Sequence, residues 1–132
     1  MASAPAFIGT PEIGVGSLTT GQTARAAGTS TNVVDILTAG TNGTRILEVV
    51  AKASDDPADS CVVLWLHTGS TNYPFDEIDL GNPSAGSATT PSYRGTVTYS
   101  NLVLPSGWKL QASITATPTA GAVKVFALGG DL

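Results

Sequence analysis

A chain of 132 residues with 42% hydrophobic residues has the size of one domain, since domains commonly run to roughly 100–200 residues. Charged residues make up only 12%, about half of the roughly 25% of an ordinary soluble domain, so the surface is built largely from Thr, Ser, Asn and Gly. The net charge of −4 removes the attraction that drives phosphate-backbone binding and argues against nucleic acid as a partner.

Residues 1–21 carry Pro5, Pro11, Gly9, Gly14, Gly16 and Gly21 among Phe7, Ile8, Ile13, Val15 and Leu18. That density of proline and glycine opposes both helix and central strand. A disordered tail, however, is poor in apolar side chains. The segment therefore reads as an extended arm lying on a neighbouring protein, with Phe7, Ile8, Ile13, Val15 and Leu18 as its contact residues, ahead of a folded domain over residues 22–132. The start, MASAPAFIG, lacks a basic n-region and a long apolar segment, and nowhere do about 18 apolar residues run together. Neither a secretion signal nor a membrane span is expected.

Short strands are expected over residues 22–27 and 32–38, the second ending in a turn at residues 39–43 that hairpins into a strand over residues 44–53. Asp35 lies inside an apolar run and reads as a residue on a solvated strand face. Asn42-Gly43-Thr44 matches the glycosylation sequon formally, but it sits in that turn. Strict alternation over residues 44–53 places Leu47, Val49, Ala51 and Ala53 on one face and Thr44, Ile46, Glu48, Val50 and Lys52 on the other.

Residues 61–67 form a strand with Val62, Leu64 and Leu66 on one side and Cys61, Val63, Trp65 and His67 on the other. Neither side is polar, so both must be covered. Val63 and Trp65 are accordingly expected at an interface with a second subunit or under the arm.

A strand over residues 73–80 begins at Pro74, which demotes it to an edge. Residues 81–91, GNPSAGSATTP, form a long loop reaching toward a partner. Strands resume over residues 93–99, 101–104, 108–117 and 122–128. In the third of these, Leu110, Ala112, Ile114 and Ala116 oppose Lys109, Gln111, Ser113 and Thr115, the pattern of one wet face. Seven to nine short strands imply an all-β protein, a single antiparallel β-sandwich of jelly-roll type or, alternatively, of immunoglobulin-like type, with an extended N-terminal arm.

The supply of catalytic groups is thin. His67 and Cys61, the only residues of their kinds, lie about 20 Å apart along one strand and form no dyad; the thiol reads as buried and structural, the imidazole as a strand-end residue. Asp55, Asp56 and Asp59 lack the spacing of a calcium loop, and Asp76 falls on the face opposite Glu77 and Asp79. No phosphate-binding glycine loop or zinc pattern is present. No catalytic, cofactor-binding or metal-binding residues are therefore expected.

The runs ILTAGTNGTRILEVVAKAS, VVLWLHTGS, NLVLPSGWKLQASITAT and VKVFALGGDL together resemble small virion structural proteins of tailed bacteriophages. The resemblance covers about residues 33–132 and leaves the arm outside it. It implies a non-enzymatic decoration or cement protein: a β-sandwich, often a homotrimer, made in the bacterial cytoplasm. It would sit on the outer capsid surface of the virion and tie neighbouring major capsid proteins together. The alternative is a tail or head-fibre adhesion module whose loops bind a host surface glycan. A small β-sandwich hydrolase is disfavoured by the missing nucleophile and base.

Overall fold

The computed structural model describes residues 8–81 and 85–132. Among them run eight strands: β1 (Thr10–Leu18), β2 (Val34–Thr38), β3 (Thr44–Ala53), β4 (Cys61–His67), β5 (Asn72–Asp79), β6 (Arg94–Leu104), β7 (Lys109–Ile114) and β8 (Val123–Asp131). They form two antiparallel sheets, sheet A in the order β1-β8-β3-β6 and sheet B in the order β2-β7-β4-β5. This is the strand order of a jelly roll. An immunoglobulin-like sandwich would put strands 1, 2, 5 and 4 in one sheet and 3, 6 and 7 in the other.

The core lies between the sheets. Val62 and Leu64 of β4, Leu110, Ala112 and Ile114 of β7, Val49 and Ala51 of β3 and Val123, Val125 and Ala127 of β8 are fully buried there. Only β4 and β5 are both consecutive in sequence and paired in a sheet. The turn after β2 is real, with the Gly43 N–H donating to Gly40 O at 3.0 Å and Gly43 at φ +89°. It nevertheless passes the chain from sheet B to sheet A, so the expected hairpin is instead a corner.

β3 departs from strict alternation. Its register against both β6 and β8 shifts between Ile46 and Glu48, and this bulge turns both Ile46 and Val49 into the core while Leu47 is pushed out to 41% exposure. One inserted residue re-aims everything beyond it.

The N-terminal boundary also moves. Thr10–Leu18, expected as part of an arm outside the sandwich, is the edge strand of sheet A, paired along its whole length with β8. Its glycines have a positive role. A Cβ on Gly14 would lie 2.2 Å from Ile36 O, and one on Gly16 would lie 2.6 Å from Ile36 Cδ1. The two sheets close on each other at this edge because β1 presents no side chain at these two inward positions. Leu18, at the inner end of the strand, is 1% exposed and belongs to the core.

Residues 22–27, expected as a strand, belong instead to the connection between β1 and β2. It is anchored on β7, where the Gln22 N–H donates to Ile114 O at 2.8 Å, and on β5, where the Gly28 N–H donates to Asn72 O at 2.9 Å. Arg25 and Glu77 form an ion pair at 2.8 Å on the way. Since β4 lies between β7 and β5, the connection crosses the outer side of β4.

Candidate functional site

Val63 and Trp65 point to that outer side, and both have no exposed surface. The Trp65 indole Nε1–H donates to Ser113 Oγ at 2.9 Å. Ser113 is also fully buried and Gln111 is 8% exposed, so the β7 face expected to be wet is dry in its middle, with Lys109 and Thr115 half-buried at its ends. The apolar surplus of β4 is therefore covered by the chain's own β1–β2 connection, and the expected subunit interface at Val63 and Trp65 is not an accessible surface. The doubly apolar pattern was a valid sign that something covers β4. Sequence spacing did not show that the cover comes from residues 19–33.

Of the five arm residues, Phe7 lies outside the described residues, Ile8 packs half-buried close to Gly130, and Leu18 is in the core. Ile13 and Val15 remain 65% and 55% exposed. They sit on the outer face of sheet A, whose cross-strand registers place side chains in rows. One row runs Val15, Phe126, Val50, Thr96 and the next Ile13, Leu128, Glu48, Thr98. Leu47 at the bulge and Val103 farther along β6 are each 41% exposed. The result is an apolar patch in which the exposed Ile13 and Val15 of β1 adjoin the half-buried Phe126 and Leu128 of β8, with the buried Val50 and with Glu48 following on β3, the kind of patch that marks an interaction site. Period-2 alternation from residue 11 to residue 18 was the available signal for it, masked by the prolines and glycines.

The carboxylates have separate structural duties. Asp76 accepts the Tyr99 hydroxyl at 2.7 Å, and burial first, then this carboxylate, pushes the phenol far above its ordinary range. Glu77 holds Arg25, while Asp79 Oδ1 accepts the Gly81 N–H at 2.7 Å. Asp56 Oδ1 closes a turn onto the Ala58 N–H at 3.0 Å. Among the described residues no three His, Cys, Asp or Glu side chains converge as a metal site would require. Asp35 is exposed, as expected, and is paired: Gln111 Nε2 donates to it at 2.7 Å and Lys109 Nζ at 3.0 Å. These bonds, the one from Gln111 foremost, hold its pKa below the ordinary carboxylate value.

Cys61 and His67 stand at opposite ends of β4, in register with Asp79 and Asn72 respectively. Cys61 is half-buried rather than enclosed, and desolvation, reinforced by Asp79 and Glu77, raises its thiol pKa and disfavours the thiolate. His67 Nδ1 accepts the Gly69 N–H at 3.0 Å, which ties the ring to the β4–β5 turn. A cavity of about 480 Å³ lies between Lys52, Asp55 and residues 85–92. A second, of about 340 Å³, lies between the β1–β2 connection and the β4–β5 turn. No helix of the described residues is long and apolar enough to cross a membrane. No family model, curated protein or solved structure matches the chain.

Proposed function

We propose that the chain is a non-enzymatic structural protein of a phage virion, a decoration or cement protein that binds the outer capsid surface and links neighbouring major capsid proteins. The observation that carries this reading is the apolar patch on the outer face of sheet A, where the exposed Ile13 and Val15 lie beside the half-buried Phe126 and Leu128. The resemblance of residues 33–132 to small phage virion proteins supplies the partner, and the low-charge Thr- and Ser-rich surface suits packing among many copies on a shell. With β4 closed by the chain's own connection, sheet A is the face offered to that partner.

Covering Ile13 and Val15 is worth on the order of 1–2 kcal/mol for each side chain, given about 1.5–3 kcal/mol for complete burial. A repeating lattice adds avidity when one molecule touches two capsid subunits. The test is co-sedimentation with shells assembled from the major capsid protein of the same genome. The wild-type chain should pellet with the shells, and Ile13→Glu with Val15→Glu should bind on the order of tenfold more weakly or worse. A chain that stays in the supernatant, or a double variant that pellets as well as wild type, overturns the reading.

A further inference from the structure

The row next to the apolar patch has an unusual composition. Cross-strand register places Ser17, Lys124, Lys52 and Arg94 side by side on the outer face of sheet A. Three of the chain's six cationic residues thus occupy directly opposed positions on three adjacent strands, in a protein whose net charge is −4. Like charges directly opposite one another in a sheet are destabilising, so their mutual repulsion is a cost to the isolated fold.

Among the described residues no carboxylate forms an ion pair with Lys124, Lys52 or Arg94. The ion pairs among the described residues are Arg25–Glu77 and Lys109–Asp35, both away from this row. Lys124 Nζ donates to Ser17 Oγ at 2.6 Å, and Lys52 Nζ donates to Ser92 O and Ala53 O at 3.2 Å each and to Ser92 Oγ. These are neutral acceptors, which position the ammonium groups without cancelling their charge. Arg94 is exposed.

We infer that the outer face of sheet A docks onto a protein surface that is apolar beside a cluster of Asp and Glu, with the carboxylates opposite Lys124, Lys52 and Arg94 and the apolar part opposite Ile13, Val15, Phe126 and Leu128. The inference rests on the capsid-binding reading and adds the chemistry of the partner. Protein is favoured over nucleic acid because the basic row is only one residue deep and borders the apolar patch. A polyanion would contact that patch without covering it, and the rest of the chain is acidic. Complementary charge sets orientation and association rate, while the apolar patch supplies residence time.

The experiment measures binding of the full chain to the same shells between about 50 and 500 mM salt, a range over which the screening length shortens several-fold. It is run with wild type and with Arg94→Glu and Lys124→Glu, each checked for a native far-UV spectrum and melting temperature. Arg94→Glu is the cleaner variant, because its side chain is exposed. The inference expects wild-type affinity to fall at least tenfold across the salt range, and each reversal to cost about tenfold at low salt and much less at high salt. Salt-independent binding unchanged in both variants overturns the inference and leaves the capsid reading standing. Absence of wild-type binding at every salt concentration overturns both. Tight binding to a short duplex DNA that competes with the shells overturns the choice of a protein partner.

Discussion

Trp65 donates its indole N–H to Ser113 Oγ at 2.9 Å, and neither residue has any solvent-exposed surface. This pair lies on the outer side of sheet B, a side that in an isolated sandwich would face water. Its dryness depends on the β1–β2 connection held at Ile114 and Asn72. With Trp108→Phe removing the other tryptophan, Trp65 should emit at short wavelength and resist acrylamide quenching in the dilute chain. Red-shifted, readily quenched emission would contradict the closed connection. Ser113→Ala leaves the indole N–H without its partner and should cost about 1–3 kcal/mol in denaturant unfolding.

Gly14 and Val15 are neighbours with opposite tolerances. A methyl group on Gly14 would meet the Ile36 carbonyl at 2.2 Å, and backbone cannot yield as a flexible side chain does. Gly14→Ala should lower unfolding stability by about 1–3 kcal/mol. Val15→Ala, on the exposed face, should stay within about 0.5 kcal/mol of wild type while weakening partner binding. Equal effects on stability would mean that β1 does not close against β2.

Glu12 and Asp131 give the fold a dependence on pH. The hydrogen bond to Asp131, with burial and the neighbouring negative charge, raises the Glu12 pKa. The Thr44 hydroxyl, donating to Asp131 Oδ1 at 2.6 Å, leads the causes that lower the Asp131 pKa. The folded state therefore holds the Glu12 proton more tightly than the unfolded chain does. That contribution is complete below the ordinary glutamate pKa of about 4.3 and is lost as pH rises through the raised value. Asp131 acts in the other direction, its contribution present above about 3.9 and lost as pH falls. Glu12→Gln removes the Glu12 titration while leaving an amide that can still donate to Asp131, so its melting temperature should gain on wild type from about pH 4 to pH 7. A constant difference across that range would contradict the pairing.

Tyr99 and Asp76 tie sheet A to sheet B at the edge opposite β1 and β2, with Phe75 against the Tyr99 ring at 5.9 Å between centroids. Tyr99→Phe retains the ring contact and loses the bond to a charged acceptor. The expected cost is about 1 kcal/mol, at the lower end for such bonds because the site is partly exposed. No measurable change in unfolding free energy would mean that water replaces the hydroxyl.

Much of the sandwich is legible in single strands. The alternation of Val62 and Leu64 against Val63 and Trp65, and of Leu110, Ala112 and Ile114, gives the inward faces directly. Pro74 places β5 at an edge, where the structure has it. Features that depend on distant segments were not legible. The Leu47 bulge inverts part of β3, Gly14 and Gly16 read as strand breakers until Ile36 is seen against them, and the cover over Trp65 depends on hydrogen bonds from Gln22 and Gly28 to β7 and β5. The candidate face was half visible: Ile13 and Val15 were singled out, but Phe126, Leu128 and the row of Lys124, Lys52 and Arg94 join them only through the register of four strands.

The central claim is that the outer face of sheet A seats on a capsid, and electron cryomicroscopy of shells incubated with saturating chain tests it most directly. The account predicts ordered density at regular lattice positions with Ile13, Val15, Phe126 and Leu128 buried against the major capsid protein. Bare shells, or bound molecules that leave this face open to solvent, would contradict it.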